Sequence, residues 1–358
     1  MKIAFVALTD PSPALDGGRI RMTGLISALT LAGHDVNVIF PDSEVTSRRS
    51  KNPRHFLRLA PRQGSLRITR KLVREIVDAK PDLILYSISY MACLHRIAGI
   101  PAIVDFQNIE GTRYSSIAAR SRGIHGVAAH LEAAKARIWE PRVARRVDLV
   151  LGVSGDEVRV LSSWRANAIL IPHGSDGIDL GPSPDNQTVA YIASGGYAPN
   201  DDGGRWLVEE VWPRVIEILP QAKLVIAGKG TASAYHWVTE STVHVLGEVE
   251  SISAVLLDSA LAVGPVRSGA GEQLKVVSAL SHGRTMVLTS YSARSCPRSA
   301  LENVSVTSDP SDFAAAVVSS ILDVDSRHRR EAQLSAGVRS WADACEPLIK
   351  WIGQCEVR

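Results

Sequence analysis

Residues 172–185 read PHGSDGIDLGPSPD, and this stretch divides the chain into two similar halves. It is dense in glycine, proline, serine and aspartate, which favour turns over helices and strands. On either side, short runs of valine, isoleucine and leucine alternate with longer segments of helical periodicity. Because strands buried on both faces of a parallel sheet read as continuous apolar runs, the alternation predicts two α/β, Rossmann-like domains.

The predicted elements follow that alternation through both halves. The strands of the first half are expected at 3–8, 36–40, 83–87, 102–106, 149–153 and 169–171. Those of the second half are expected at 189–193, 224–227, 243–246, 261–266 and 286–289. The predicted helices are 20–32, 66–79, 201–219, 250–258, 272–282 and 311–323, with a last one from Ala342 to Ile352.

The length of 358 residues also favours two domains, since a single domain averages about 150 residues. We expect an N-terminal domain over 1–172, a linker over 173–187 and a C-terminal domain over 188–335. Residues 336–358 are expected to form a helix that returns toward the N-terminal domain and packs across the domain junction. Ligands are expected in the cleft at the carboxyl ends of the strands.

Composition excludes several classes of protein. Hydrophobic residues make up 45% and charged residues 22%, as in an ordinary globular chain. No apolar run approaches the roughly 20 residues that a membrane span needs, and the N-terminus lacks a signal-peptide pattern. The four cysteines form no Cys-x-x-Cys pair, as is usual in a reducing compartment. We therefore expect a cytoplasmic protein, with peripheral contact to the inner face of the membrane as an option.

The segment 45–74 contains ten lysines and arginines and no acidic residue, although the net charge is only +3. One interpretation is a solvated basic face. Another is contact with an anionic acceptor or with a membrane surface. Nucleic acid is not expected as a partner, because the segment lacks the interleaved aromatic residues of a strand-binding platform.

Residues 264–276 read GPVRSGAGEQLKV and predict an anion site. A flexible turn ends at the start of a helix, where free backbone N–H groups and the helix dipole favour negative charge. Arg267 and Lys275 could neutralise a diphosphate there and stabilise it as a leaving group. A purely structural turn is the alternative.

Other glycine turns follow predicted strands. Gly195 and Gly196 precede Tyr197 and would allow a ligand close to the backbone. Equivalent turns, each of which could also be purely structural, are the segment Gly17-Gly18-Arg19, Gly228 and the Gly247-Glu248-Val249 loop.

Taken in order, these motifs resemble the retaining family 4 glycosyltransferases of the GT-B fold. The matching segments cover nearly the whole chain and are 16–19, 32–36, 105–110, 148–154, 171–176, 194–201, 264–276 and 340–342. The resemblance implies transfer of a hexose-like unit from a nucleoside diphosphate sugar, with retention of configuration and no metal or other cofactor. Residues 1–172 would bind the acceptor and 188–335 the donor.

The resemblance also implies roles for individual residues. Catalytic roles fall to Arg267, Lys275, Asn108 and Glu110, and acceptor contacts to Gln107, Asn108 and Glu110. Donor contacts fall to Gly17, Gly18, Arg19, Gly195, Gly196, Tyr197, Gly228, Gly247, Val249, Gly271, Glu272, Gln273, Leu274 and Ser278.

The sequence departs from the family pattern at several of these places. Ala270 and Ser278 stand where two glutamates are usual, and Glu272 is the nearest carboxylate, unless it is only a first-turn residue of the helix. Gln107 replaces a histidine, and His173, where asparagine is common, is expected to support the hinge. An inactive GT-B protein that binds a nucleotide-sugar or a partner glycosyltransferase is therefore an alternative, and a sugar-nucleotide epimerase a more distant one.

Overall fold

A computed structural model describes residues 1–12, 17–41, 70–92, 99–120, 123–175, 180–269, 272–334 and 339–356. The chain forms two compact units. The N-terminal unit comprises Met1–His173 together with Trp341–Arg358, and the C-terminal unit comprises Gly174–Ser340. Most of the basic segment 45–74, as well as Gly271, lies outside the described residues.

The N-terminal unit is built on a six-stranded sheet in which all neighbours are parallel, with the order β2-β1-β3-β4-β5-β6. The strands are β1 (Lys2–Val6), β2 (Asp35–Ile39), β3 (Leu83–Tyr86), β4 (Ala102–Phe106), β5 (Leu149–Gly152) and β6 (Ala168–Leu170). Three of them, β3, β4 and β5, are buried along their whole length. The apolar runs in the sequence therefore predicted these three closely.

The C-terminal unit contains a second parallel six-stranded sheet, with the order β12-β11-β10-β7-β8-β9. The strands are β7 (Thr188–Ile192), β8 (Lys223–Ala227), β9 (Val243–Gly247), β10 (Leu261–Gly264), β11 (Met286–Leu288) and β12 (Ser305–Val306). This is the strand order of a dinucleotide-binding Rossmann fold, and it reverses between β7 and β10. The prediction missed β12, because so short a strand carries no periodicity.

The helices of the N-terminal unit cover both faces of its sheet, which gives the unit two hydrophobic clusters. They are α1 (Gly17–Leu31), α2 (Arg70–Asp78), α3 (Ser89–Ala92), α4 (Glu110–Arg120), α5 (Gly123–Ala144) and α6 (Gly155–Ser163). The described part of the predicted helix 66–79 is α2. Neither α4 nor α5 was predicted, since α5 carries apolar residues around most of its circumference and shows no clear helical period.

The C-terminal unit has helices α7 (Ala198–Trp206), α8 (Trp212–Ile218), α9 (Thr231–Ala234), α10 (Ile252–Leu257), α11 (Leu274–Ser281), α12 (Pro310–Leu322) and α13 (Val324–Leu334). The prediction that helices fill 201–219 is confirmed as far as Ile218, although the helical hydrogen bonding changes on the way. A π-helical turn, Leu207–Val211, separates α7 from α8, and the Trp212 N–H donates to the Leu207 carbonyl. Pro213 has no N–H to donate, so a regular α ladder cannot continue through it.

The last helix, α14 (Trp341–Glu356), packs against α1 within the N-terminal unit. Its buried residues share a core with α1, namely Trp341, Cys345, Leu348 and Ile352 with Met22, Leu25, Ala28 and Leu29. A Cβ atom at Gly24 would lie 2.1 Å from the Trp341 ring. The missing side chain at Gly24 therefore permits this close approach.

The described residues of the stretch 174–186 belong to the C-terminal unit, and Ser183 and Pro184 among them contact α13. The Ser183 N–H donates to Glu331 Oε2 at 3.0 Å, and Arg327 Nε donates to Ser183 Oγ at 2.8 Å. Arg327 is fully buried and also donates to the carbonyls of Ser320 and Pro184. This guanidinium fixes the chain where the sequence suggested only a linker.

Candidate functional site

The switch point of the C-terminal sheet lies between β7 and β10, where Leu261 pairs with Val189. The loops that come after these strands, 193–197 and 265–269, therefore leave the same edge of the sheet on either side of the reversal. Open α/β sheets bind ligands in such a crevice. The predicted residues Gly195, Gly196 and Arg267 lie in these two loops.

Glycines bring the ends of β7, β8 and β9 into close contact. A Cβ atom at Gly195 would lie 2.3 Å from the Gly230 carbonyl oxygen. A Cβ at Gly228, where φ is +132°, would lie 2.0 Å from the Ala193 carbonyl oxygen. The Gly228 N–H in turn donates to the Gly247 carbonyl at 2.7 Å. Three of the predicted donor glycines therefore lie at one edge, and Gly195 and Gly228 are required there by the backbone itself.

Helix α7 holds both predicted phosphate cations. Lys275 Nζ donates to Asn200 Oδ1 at 2.6 Å, and Arg267 Nη2 lies 3.1 Å from Asp202 Oδ1 and 3.2 Å from Oδ2. The helix packs closely on the loop after β10, because a Cβ at Gly203 would lie 2.8 Å from the Pro265 carbonyl oxygen. The two cations, which come from either side of the glycine-rich loop, therefore contact neighbouring side chains in one turn of α7.

Asn200 anchors this arrangement and was not among the predicted site residues. Its Nδ2 donates to the Ser194 carbonyl at 3.0 Å, which turns Oδ1 toward Lys275. Its carbonyl accepts the hydroxyls of Tyr191 and Tyr235, both at 2.9 Å. The signal that could have found it is the polar run 200–202 directly after the glycine turn.

Asp201 links the glycine turn to the same helix. Its Oδ1 accepts the Gly196 N–H at 3.2 Å. Partial burial raises the pKa of Asp201, while the Gly196 hydrogen bond and Lys275 lower it. The turn after β7 and the start of α7 are thereby held together by one carboxylate.

The ammonium of Lys275 lies in a poorly hydrated position. Its Nζ is 5.0 Å from the centre of the Tyr191 ring. Burial lowers the pKa of Lys275 to about 7, and Asp201 only partly offsets this effect. An anion placed beside Lys275 would restore its charge. Arg267 is more exposed and lies 5.6 Å from the Trp206 ring centre.

The N-cap residue of α11, Gln273, makes no side-chain hydrogen bond to the N–H groups of the helix. Its side-chain oxygen instead accepts a hydrogen bond from Ser292 Oγ at 3.2 Å, and its own N–H donates to Ser295 Oγ at 2.8 Å. Helix α11 begins at Leu274, so the alternative that placed Glu272 in its first turn was wrong. Ser278 is half-buried in the middle of α11.

Two further predicted donor residues border this edge of the sheet. Tyr197 is exposed and occupies the N-cap position of α7. Val249 is half-buried just after β9. Both positions are therefore compatible with contact to a ligand at the strand ends.

In the N-terminal unit, the predicted acceptor residues come after β4. Gln107 Nε2 donates to the Ser87 carbonyl at 2.8 Å, which ties the end of β4 to the end of β3. Asn108 is half-buried one residue further on. Glu110 is buried at the start of α4 and forms an ion pair with Arg113 at 2.8 Å.

A second glutamate caps α4 from α5. Glu140 accepts the N–H groups of Glu110 and Gly111 at 2.8 and 3.0 Å. Burial raises the pKa of Glu140 to about 7 despite these two hydrogen bonds. The carboxylate therefore fixes the segment that carries the acceptor candidates.

The predicted residues Gly17, Gly18 and Arg19 form the first turn of α1, ahead of the predicted helix start at Ile20. Arg21 was not among the predicted site residues. It is fully buried in the next turn and donates to both oxygens of Asp105 at 2.7 Å each. Its Nη1 also donates to the Ile171 carbonyl at 2.9 Å. The signal that could have found this pair is an aspartate near the end of an otherwise apolar strand.

His173 lies near this pair, buried, with its ring 6.0 Å from that of Trp341 in an edge-on arrangement. Burial and the nearby Arg21 hold the pKa of His173 well below its usual range. Within the ranges that the structure describes, no three His, Cys, Asp or Glu side chains converge in a way that could hold a metal ion.

Comparison with known families identifies the class of protein. The model of Glycosyltransferase Family 4 matches residues 15–176, and that of Glycosyl transferases group 1 matches residues 187–323. Together they cover both Rossmann-like units. The chain belongs to the group 1 glycosyltransferases of the GT-B fold.

The chain is also similar to a curated relative and to several solved structures, and those structures share its fold. An uncharacterized 44.6 kDa protein in the cps region of Klebsiella pneumoniae is 23% identical over 356 residues, covering 88% of this chain and 90% of the relative. Sucrose-phosphate synthase from Thermosynechococcus elongatus has a TM-score of 0.68 at 15% identity, covering 100% of this chain and 98% of that chain.

Two further structures share the fold. HepE from Anabaena in complex with UDP-glucose has a TM-score of 0.66 at 14% identity, with 99% and 100% coverage. TarM from S. aureus has a TM-score of 0.57 at 12% identity over 76% of this chain. The present chain spans only 55% of the length of that TarM chain.

Proposed function

We propose that this glycosyltransferase moves a hexose-like sugar from a nucleoside diphosphate sugar to an acceptor, with retention of configuration and without a bound metal. The observation that carries the proposal is the pair of cations, Arg267 and Lys275, held by α7 at the switch point of the C-terminal sheet. A diphosphate carries negative charge that suits these two cations. Its oxygens could also bind the N–H groups at the start of α11, because the N-cap side chain of Gln273 makes no hydrogen bond to them.

Arg267 is well suited to exchange its present partner for a phosphate. The side chains of Arg267 and Asp202 are 40% and 43% exposed. An exposed pair of this kind contributes only about 0–1 kcal/mol. A phosphate can therefore recruit the guanidinium at small cost and accept two hydrogen bonds from it.

Lys275 supports the same ligand in a different way. Because burial lowers the pKa of Lys275 to about 7, part of the population is neutral at neutral pH in the free protein. A diphosphate would favour the charged ammonium and draw a proton from solvent as it binds. The energy of that interaction grows as charge develops on the leaving diphosphate, so Lys275 would act mainly in the transition state.

The proposed reaction breaks the bond between the sugar C1 and the donor phosphate oxygen, whose electron pair stays on the diphosphate. The acceptor hydroxyl forms its bond to C1 on the same face, which retains the configuration. Its proton passes to a phosphate oxygen of the leaving group, so the step needs no protein base. The positive charge that a metal would otherwise supply comes from Arg267, Lys275 and the N–H groups at the start of α11.

We place the acceptor on the N-terminal unit, near the end of β4. Asn108 is half-buried there and offers an amide to a hydroxyl-rich acceptor. Gln107 and Glu110 would act mainly by positioning, since Gln107 donates to the Ser87 carbonyl and Glu110 pairs with Arg113. Gly17, Gly18 and Arg19 would approach either substrate from the start of α1.

The bound ligands of the similar structures support the donor class. The crystal structure of HepE contains UDP-glucose, and the catalytic domain of starch synthase IV from Arabidopsis thaliana is bound to ADP and acarbose. UDP-glucose is a nucleoside diphosphate sugar and ADP is a nucleoside diphosphate, whereas their bases differ. We therefore leave the base open and assign the diphosphate to the contacts of Arg267 and Lys275.

Isothermal titration with UDP, ADP, GDP and CDP tests the donor site. We expect one of them to bind, and Lys275→Met to weaken its binding. Lys223→Met is the matched control, because Lys223 is exposed at the opposite, amino end of β8. No detectable binding of any nucleotide would rule out the donor site.

Turnover is tested separately with radiolabelled nucleoside diphosphate sugars and a panel of acceptors. Product whose anomeric configuration matches the donor, formed in the presence of EDTA, is the expected result. Inverted product would contradict retention, and loss of activity in EDTA would contradict metal independence. Nucleotide binding without product for any donor and acceptor would favour the inactive binding protein.

A further inference from the structure

Helix α5 presents an apolar stripe to solvent. Val127, Leu131 and Ile138 are 70%, 44% and 47% exposed, and Ala134 between them is also exposed. At about 100° per residue these four side chains fall within about 60° of one another around the helix axis, over about 16 Å of its length. The stripe is thus a continuous surface feature.

The fold does not need this stripe. The opposite side of α5 supplies the packing, and its buried residues are Ala129, Ala133, Ala136, Trp139, Val143 and Ala144. Apolar side chains exposed in a row, on a helix already anchored by its other side, mark an interaction surface.

The polar residues around the stripe are basic. His130 and Arg137 flank it on one side and Arg142 on the other, and all three are exposed. Arg137 is held at the flank by a hydrogen bond from its Nη2 to Ser115 Oγ at 3.0 Å. Arg145 and Arg146 are exposed immediately after α5.

The acidic side chains of α4 and α5 are directed into the protein. Glu132 is buried and pairs with Lys135 at 2.8 Å, while Glu140 is buried as the cap of α4. Glu110, the remaining acid of these helices, is buried with Arg113. Consequently the exposed face of α5 offers cations and apolar groups but no anion.

We propose that this face, Val127, His130, Leu131, Ala134, Arg137, Ile138 and Arg142, docks on the surface of an anionic lipid bilayer. An apolar stripe flanked by basic residues suits a helix lying in the plane of the interface, with its apolar side chains among the acyl chains and its cations at the headgroups. A second copy of the chain suits it poorly, because α5 against α5 would oppose like charges.

The proposed contact with the membrane is peripheral. Among the residues that the structure describes, no helix has the length and apolar character needed to cross a membrane. Helix α5 would lie parallel to the bilayer, because only one narrow side of it is available to lipid. This assignment places membrane contact on described residues of the N-terminal unit and is independent of the basic segment 45–74.

Sedimentation with vesicles tests the proposal on the full chain. Vesicles of phosphatidylcholine with phosphatidylglycerol should bind the protein, and vesicles of phosphatidylcholine alone should bind it at least about tenfold less. Leu131→Glu with Ile138→Glu should lower the partition coefficient on anionic vesicles at least about tenfold. Both positions are exposed, so nucleotide affinity and the thermal unfolding midpoint should not change.

The matched control is Ile218→Glu with Leu322→Glu, two comparably exposed apolar residues at the ends of α8 and α12 in the C-terminal unit. It should bind vesicles like the unaltered protein. Equal loss in both variants would overturn the proposal, as would loss only when the basic residues of 45–74 are neutralised. A dimer in sedimentation velocity that Leu131→Glu with Ile138→Glu dissociates would assign the face to a second copy instead.

Discussion

Each unit has an arginine at the carboxyl edge of its parallel sheet, but the two arginines serve different purposes. Arg21 in the N-terminal unit is fully buried, donates to both oxygens of Asp105 and also reaches the Ile171 carbonyl. Arg267 in the C-terminal unit is 40% exposed, and its carboxylate partner Asp202 is 43% exposed. The first cation has its hydrogen-bonding capacity taken up inside the protein, whereas the second can turn to a ligand.

The difference shows that burial decides whether a charged side chain stabilises the fold or is available to bind a ligand. Removing one partner of a buried pair leaves an uncompensated charge in a medium that solvates it poorly. An exposed pair loses almost nothing when it is broken, because water replaces the partner. We therefore expect Arg21 to matter for folding and Arg267 for catalysis.

The largest effect should come from Arg21→Met, which leaves Asp105 buried without its cation. We expect the free energy of unfolding to fall by about 3–5 kcal/mol. Denaturation in urea, followed by tryptophan fluorescence, measures it. The double variant Arg21→Met with Asp105→Leu should recover part of the loss, because it removes both charges. A single variant as stable as the unaltered chain would show that the pair is not structural.

A smaller effect, confined to activity, is expected from Arg267→Ala. Transfer should fall at least tenfold, equivalent to about 1.4 kcal/mol of transition-state stabilisation. Stability should stay within about 0.5 kcal/mol, as for other exposed positions. Initial rates at saturating donor and a parallel urea titration measure the two quantities. An unchanged rate would remove Arg267 from the mechanism.

The smallest effect is a pH dependence that arises from Lys275. Its pKa is about 7 in the free protein and should rise when a diphosphate binds. Binding above pH 7 then requires uptake of a proton, so affinity is fully present below pH 7 and falls as the pH increases. Between about pH 6 and about pH 8 we expect a loss of up to about tenfold.

Titration with a nucleoside diphosphate sugar measures this dependence, since its phosphates do not change charge in that range. Running it in two buffers of different ionisation enthalpy counts the protons taken up. Lys275→Arg supplies a cation that stays charged and should give an affinity independent of pH. If the affinity of the Lys275→Arg variant still fell with increasing pH, a group other than Lys275 would be the one that titrates.

The sequence predicted the fold well because its signals are local and repeated. Strands buried on both faces, such as β4, appear as unbroken apolar runs and were predicted directly. Segments with apolar residues on most sides, such as α5, were missed because their apolar residues show no clear helical period. The π-helical turn before Pro213 was missed because a single proline was taken as part of a longer helical pattern.

The candidate site was only partly predictable. Arg267 and Lys275 were found because they flank a glycine turn at a helix start, a pattern with a known preference for anions. Asn200, Asp202 and Arg21 were not, because their importance depends on partners 65 to 84 residues away along the chain. Sequence spacing carries no information about such contacts.

The sequence by itself determined two Rossmann-like halves, their glycine turns and the two cations, Arg267 and Lys275, that flank the glycine turn before α11. Those features depend on residue type and on short distances along the chain, and both can be read directly from the sequence. Only the tertiary structure decided that α7 holds both cations, that Arg21 is paired inside the protein and that one side of α5 faces solvent with its acidic residues turned inward. Each of these depends on which surfaces become buried, and burial is set by the packing of segments distant in sequence.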